Sequence, residues 1–129
     1  MQVNYLPEAE RHPLWPQIVE LLKPAAKFGD VEVEHPDHVV WIAHENGTVF
    51  AAATTLLLAD GNTELRLAGG YRHRDWVEQL NAVVSAWAKS AGARKLTMRG
   101  RKGWARYARA CGWVVAAPEA NGLIYEREL

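Results

Sequence analysis

The chain has 129 residues, 49% of them hydrophobic, which is enough for one packed core and too few for two. Its formal net charge is zero, and its single cysteine, Cys111, excludes an internal disulfide framework and fits a reducing compartment. No apolar run approaches the roughly 20 residues that cross a bilayer, and residues 1–10 lack the pattern of a secretory signal. We therefore expect one cytoplasmic domain over residues 1–129, with no membrane partner.

Charge is distributed unevenly along the chain. Residues 1–65 carry ten acidic and three basic residues, whereas residues 66–129 carry twelve basic and five acidic ones, so the two halves have net charges of −7 and +7. The segment 94–109 contains seven basic residues and no acidic residue. It is predicted to attract an anionic ligand or partner, or else to be a solvated face that the acidic half neutralises.

An N-terminal helix is predicted over residues 14–23, because apolar residues recur there at helical spacing and a proline follows. Val31–Glu34 alternates like a short strand, and residues 39–43 are β-branched and too short to favour a helix. Between these runs, His35, Asp37 and His38 could ligate a metal. Their spacing around a proline and the lack of a second cluster favour an ordinary turn.

Three strands then form a predicted antiparallel meander. Asn46-Gly47 separates the strand 39–43 from a strand over 48–58 and is typical of a type I′ hairpin turn. A second turn at Asp60–Asn62 leads to a strand over 63–67, which ends at Gly69-Gly70. Paired glycines permit a bulge or the close approach of another backbone or a ligand, because they have no Cβ.

The apolar period then changes to that of a helix, from Trp76 to Trp87. Asp75 and Glu78 have the spacing of a capping box, and Gly92 follows as a stop. The remaining predicted elements are a strand over 96–98, a helix over 104–111 that Gly112 ends, and a hairpin of strands 113–117 and 123–128 around Asn121-Gly122.

This order predicts an α+β fold, a mixed and mostly antiparallel sheet flanked by helices. The strand, helix, strand crossover through residues 63–98 requires two parallel neighbours in the sheet. It places the N-terminus of its helix at an opening in the sheet, where unpaired N–H groups and the helix dipole favour an anionic group.

The element order, Gly69-Gly70, the helix end at Ala88–Gly92 and the Ala110–Trp113 segment resemble the GNAT superfamily of acyl-CoA N-acyltransferases. Gly100–Trp104 is similar to the Gly-Arg-x-Gly-Trp motif of small GNAT-like proteins from tailed bacteriophages and prophages. The resemblance covers residues 38–129, whereas residues 1–37, the N-terminal helix and first strand, match nothing specific. It implies a GNAT-like sheet, acetyl-CoA as cofactor and an amine as acceptor.

The resemblance also implies where coenzyme A binds. Its pantetheine would pair with backbone, and its phosphates would lie beside basic side chains. The residues concerned are Leu67, Ala68, Gly69, Arg72, His73 and Arg74. Active members have glycines in the phosphate loop, but none follows Arg72 here, and Asp75 at the predicted N-cap would repel phosphate.

A GNAT mechanism implies a base for the amine and a proton donor for the leaving thiolate. Glu64, on the strand 63–67, is the candidate base. Ala108 occupies the usual tyrosine position; Tyr107 lies about 100° round the helix from it, and Tyr125 or a water could substitute. Cys111 is better interpreted as a small buried hydrophobe than as a nucleophile.

Two functions remain open. The first is an acyl-CoA-dependent N-acetyltransferase with a degenerate pyrophosphate loop and an unidentified amine acceptor. The second is a catalytically inactive phage protein of this fold that binds a host or virion partner through the basic segment 94–109. Neutral overall charge and the lack of a helix-turn-helix or RNA-binding motif argue against nucleic acid.

Overall fold

The structure, a computed structural model, describes residues 1–119 and 121–129, without the side chain of His12. Within these residues seven strands form one sheet, with helices on both faces. The strands are β1 (Gln2–Leu6), β2 (Val39–Glu45), β3 (Thr48–Leu57), β4 (Thr63–Gly70), β5 (Lys95–Gly100), β6 (Val114–Glu119) and β7 (Gly122–Glu128). The α-helices are α1 (Glu8–Arg11), α2 (Trp15–Gly29), α3 (His73–Ser90) and α4 (Ala105–Ala110).

The strand order in the sheet is β1-β2-β3-β4-β5-β7-β6. Strands β4 and β5 are parallel, and the other neighbouring pairs are antiparallel. The predicted meander and the crossover through α3 are therefore confirmed, as is the mixed, mostly antiparallel α+β fold. Asn46 (φ 50°) and Gly47 (φ 79°) both have the positive φ angles that a type I′ turn requires.

The sheet separates two apolar cores. On one face α2 buries Ile18, Leu22 and Ala26 against a cluster that includes Val40 and Ile42. Because side chains alternate along a strand, the neighbouring residues of β2 belong to the core on the other face, which α3 covers. That core contains Trp41, Trp76, Leu80, Val84, Leu96, Trp113 and Tyr125. The centre of the sheet is thus enclosed between α2 and α3.

The N-terminal part departs from the prediction. Gln2–Leu6 is an edge strand paired with β2, and Val31–Glu34 is not a strand. Both edges of β2 are already paired, one with β1 and the other with β3, so Val31–Glu34 has no edge of β2 to join. Arg66 instead holds this segment as a loop, because its guanidinium donates to the carbonyl of Val33 at 3.1 Å and also to that of Glu32.

Helix α2 continues six residues beyond its predicted end. Pro24 lies inside it and removes one helical hydrogen bond, yet the apolar face continues past it with the buried Ala26. Burial on the sheet therefore outweighs the local signal of the proline. The helix ends at Asp30, which adopts the left-handed conformation (φ 52°) and donates its N–H to the carbonyls of Ala26 and Lys27.

The predicted capping box of α3 is wrong. The helix begins at His73, and Arg72 is the N-cap, in the left-handed conformation (φ 57°) and without a side-chain cap. Asp75 therefore lies in the first turn, where its carboxylate accepts a hydrogen bond from Arg72 rather than from backbone N–H groups. Gly92 (φ 90°) and Gly112 (φ 85°) follow the ends of α3 and α4 as predicted.

Candidate functional site

The two parallel strands at the centre of the sheet diverge. Strands β4 and β5 pair only at Thr63 with Leu96 and at Glu64 with Thr97. Beyond these pairs, residues 65–70 of β4 remain bonded to β3, and β5 remains bonded to β7 as far as Gly100. The backbone edges that face each other across the gap between β4 and β5 therefore have no strand partner, and a ligand can lie between them.

A cavity of about 430 Å³ occupies this gap. Its α2 side is lined by Leu21, Pro24, Ala25 and Phe28, and its floor by Leu65, Leu67 and Met98. Its other side is lined by Trp76 and Leu80 of α3, Tyr107 of α4 and Cys111, which follows α4. It thus reaches from one face of the sheet to the other. A mostly apolar lining with a few polar groups is typical of a small-molecule site.

Gly69 and Gly70 lie at the open end of β4, and both allow another backbone to come close. A Cβ on Gly69 would lie 2.3 Å from the carbonyl oxygen of Leu21 in α2, and one on Gly70 would lie 2.3 Å from that of Phe50. Of the two alternatives predicted for these glycines, the close approach of another backbone is confirmed and the bulge is not found, since both pair in register with β3. The register shift lies earlier, where Thr54 and Thr55 of β3 change partners.

The guanidinium of Arg72 donates hydrogen bonds to two carboxylates. Its Nε donates to Oδ2 of Asp75 at 2.6 Å, its Nη1 donates to Oε2 of Glu45 at 3.0 Å, and the guanidinium lies 4.7 Å from the ring centre of Phe50. The N-terminal ammonium, and then Arg72, hold the pKa of Glu45 below its usual value. By contrast, Arg74 is exposed and has no ion pair in the described part of the chain.

The ring of His73 lies in an aromatic cluster at the open end of the gap. Its centre is 5.3 Å from Trp76, 5.3 Å from Trp104 and 6.5 Å from Tyr107. His73 is the first residue of α3, which follows β4, and Trp104 lies in the turn after β5, so their contact bridges the ends of the two diverging strands. Trp104 was not predicted as a site residue, although its place in the Gly100–Trp104 motif pointed to it.

The structure separates the three residues predicted to transfer protons. Tyr107 lines the cavity from α4. Tyr125 is fully buried, its hydroxyl donates to the carbonyl of Arg101 at 2.9 Å, and burial raises its pKa. Glu64 lies on β4 at the paired end of the gap. Among the described residues that line the cavity, neither Tyr125 nor Glu64 is found.

The α2 side of the cavity has polar residues that were not predicted as site residues from the sequence. The Arg101 guanidinium lies 5.3 Å from the ring centre of Phe28 and donates to the carbonyl of Pro24 at 3.4 Å. Asp30 and Glu119 are the carboxylates of the lining. These residues come from the end of α2, the end of β5 and the last hairpin, and only the tertiary structure brings them together.

The remaining candidates are engaged in ordinary contacts. Nδ1 of His35 accepts a hydrogen bond from the N–H of Asp37 at 3.1 Å, and Nε2 of the buried His38 accepts one from Arg11 at 3.1 Å. Burial, and then Glu78, raise the pKa of the Cys111 thiol, so it is not activated as a nucleophile. None of the described helices has the length and apolar character to span a membrane.

No family model and no curated protein matches the sequence. Solved structures do match across the whole chain. A GNAT family acetyltransferase from Elizabethkingia anophelis with acetyl-CoA bound has a TM-score of 0.75 at 13% identity, covering 99% of this chain and 97% of that one. The PaiA N-acetyltransferase from Thermoplasma acidophilum in complex with coenzyme A has a TM-score of 0.72 at 13% identity and full coverage of both chains.

An IAA acetyltransferase from Bacillus cereus is similar at a TM-score of 0.72 and 14% identity, covering 99% of each chain. At such identities the likeness concerns the fold. The protein therefore has the GNAT fold, a single mixed sheet of seven strands flanked by four helices in the part of the chain that the structure describes.

Proposed function

We propose that the protein is an acyl-CoA-dependent N-acetyltransferase that moves an acetyl group from acetyl-CoA to an amine. One observation carries this proposal: the gap between β4 and β5 holds a cavity that reaches both faces of the sheet. A coenzyme can enter from the α3 side while an acceptor enters from the α2 side. The shared fold with structures that hold coenzyme A or acetyl-CoA supports the same conclusion.

In this proposal the coenzyme lies along β4. The backbone of Leu67, Ala68 and Gly69 faces the gap without a strand partner and can pair with the amides of pantetheine. The phosphates lie near the N-terminus of α3, beside His73 and Arg74, where the helix dipole is positive. Arg72 can contact the phosphates only when its ion pairs with Glu45 and Asp75 break.

Bound acetyl-CoA would supply an activated acetyl thioester. Tyr107 is the proposed proton donor for the thiolate, because it lines the cavity, whereas the hydroxyl of Tyr125 is already bonded to Arg101. Glu64 remains the predicted base from the sequence. Asp30 is better placed to accept the proton of the amine, since this residue belongs to the lining on the acceptor side.

Calorimetry with acetyl-CoA and desulfo-CoA tests this function. We expect binding in the micromolar range, weakened about tenfold by Arg74→Ala through the loss of a charge-assisted contact with phosphate. Lys89→Ala, at the other end of α3, is the matched control and should bind like the parent. Absence of heat at millimolar ligand would rule the function out.

A second candidate, a binding protein without transferase activity, is favoured by the basic segment 94–109. Lys102, Arg106 and Arg109 are exposed and have no ion pair in the described residues. They would suit an acidic surface on a host or virion protein. Charge reversal at these three positions should then abolish capture of an acidic protein from bacterial lysate, while Lys89→Glu retains it. Capture that survives the triple reversal would exclude this role for the segment.

A further inference from the structure

The α2 face of the molecule carries a shallow recess that adjoins the cavity. The recess is lined by Lys23, Pro24, Lys27, Phe28, Arg101 and Asn121. Four of these residues, Pro24, Phe28, Arg101 and Asn121, also line the cavity, so the two spaces share a wall. A molecule that enters the cavity from this face therefore passes the recess.

Positive charge in the recess is not neutralised by acidic side chains. Lys23 pairs with Glu20, but Lys27 and Arg101 have no ion pair in the part of the chain that the structure describes. In the described residues the Arg101 guanidinium lies against the ring of Phe28 and donates to the carbonyl of Pro24, and neither contact removes its charge. The unpaired positive charge of the recess therefore favours the binding of an anion.

Among the described residues, the acid without an ion pair on this side belongs to the cavity lining. Asp30 lines the cavity but not the recess. The other carboxylate of the lining, Glu119, lies 3.5 Å from the guanidinium of Arg99, which offsets its charge. Asp30 is thus an acid of the cavity lining, which also includes Arg66 and Arg99. Lys27 belongs to the recess alone, and Arg101 and the ring of Phe28 line both spaces.

We infer that the acceptor is an amine that also carries an anionic group, such as a carboxylate. Lys27 and Arg101 hold the anion in the recess, Phe28 packs on the body of the molecule, and the amine lies in the cavity beside Asp30. The inference rests on the proposed function. In the transfer, the amine nitrogen bonds to the acetyl carbon and loses one proton, and the carbon–sulfur bond breaks to a thiolate that takes one.

A matched pair of acceptors tests this inference. 4-(Aminomethyl)benzoate and 4-(aminomethyl)benzamide have the same amine and ring and differ in the charge at the far end. We expect kcat/KM with acetyl-CoA to be about tenfold higher for the benzoate, as a charge-assisted contact implies. Lys27→Gln and Arg101→Gln should each remove most of that preference by lowering the value for the benzoate alone. Lys102→Gln removes a neighbouring exposed charge outside the recess and should leave the preference intact.

Other outcomes separate the inference from the function on which it rests. Turnover of both acceptors at equal rates would overturn the inference and leave the transferase standing, whereas failure to bind acetyl-CoA would remove both. If Lys27→Gln and Arg101→Gln weaken binding of coenzyme A but not of 3′-dephospho-CoA, the recess holds the coenzyme's phosphate, which also overturns the inference.

If neither acceptor turns over, direct binding decides. The two probes are titrated into the protein saturated with coenzyme A, and the indole N–H signals are followed by NMR. Tighter binding of the benzoate that is lost in Lys27→Gln supports the inference. Equal binding, or none, contradicts it.

Discussion

Arg72 and Asp75 form an ion pair across the first turn of α3, with Nε 2.6 Å from Oδ2. The pair places a carboxylate where the helix dipole and the basic side chains would otherwise attract an anion. Glu45 accepts from the same guanidinium at 3.0 Å. The proposed phosphate site is therefore occupied by the acids of the chain itself, and a coenzyme must compete with them.

Asp75→Asn should tighten the binding of coenzyme A about threefold to tenfold, because it removes a repulsive charge and releases one nitrogen of Arg72. Calorimetry at low and at 0.5 M salt measures the change, which we expect to shrink at the higher salt as screening increases (Debye length about 4 Å). Glu78→Gln, on the same helix and outside the cavity, is the control for removal of a negative charge. Unchanged or weaker binding in Asp75→Asn would show that Arg72 does not serve the phosphates.

Gly69→Ala should lower the free energy of unfolding by about 2–4 kcal/mol, because its Cβ would lie 2.3 Å from the carbonyl oxygen of Leu21 and α2 would have to shift. Urea unfolding measures this loss. Gly103→Ala is the matched control, since a Cβ there meets no atom within 4 Å, and we expect a change within about 0.5 kcal/mol. Equal stability of the two variants would contradict the close crossing of α2 over β4.

The two tyrosines should separate catalysis from stability. Tyr107→Phe should lower kcat about 100-fold with little change in KM, because it removes the proposed proton donor from the cavity. Tyr125→Phe should keep most of the turnover and lose about 1 kcal/mol of stability with its hydrogen bond to Arg101. Steady-state kinetics of both variants measures the loss of kcat, and urea unfolding of both measures the loss of stability. If Tyr125→Phe lowers kcat and Tyr107→Phe lowers only the stability, Tyr125 is the proton donor.

The sequence predicted the sheet and the crossover well, because their signals are local. The β-branched run at residues 39–43, the Asn46-Gly47 turn and the long apolar face of α3 are each recognisable within a short segment of sequence. The edge strand β1 escaped prediction, since Gln2–Leu6 has little regular pattern and is ordered by pairing with β2. Val31–Glu34 has a strand-like pattern but no free edge to join.

The site was harder to predict than the fold. Arg72, His73 and Arg74 could be placed near the start of α3, but sequence spacing does not show that Arg72 is held by Glu45, 27 residues away. The contact of Arg101 with Phe28 is likewise visible only once the residue after β5 and the last turn of α2 come together. These contacts join residues that are far apart in the sequence. They depend on the tertiary structure, so a local sequence pattern cannot indicate them.

His38 should make the stability of the protein depend on pH between about 6.5 and 4. Burial of the imidazole, and then Arg11, lower its pKa from 6.5 to about 4. In this window the unfolded chain binds a proton at His38 and the folded chain does not, so the folded state loses stability as the pH falls. Above pH 6.5 both states are neutral and the contribution is complete.

The effect can be isolated with His38→Gln. We expect the parent to lose about 1–2 kcal/mol more than this variant when urea unfolding is compared at pH 7 and pH 5, after allowance for solvent screening. His44→Gln is the control for the loss of an imidazole, because that ring lies near the surface against Asn4. Carboxylates titrate alike in all three proteins and cancel in the comparison. Parallel pH profiles for the parent and His38→Gln would mean that His38 is protonated as readily in the folded protein as in the unfolded chain.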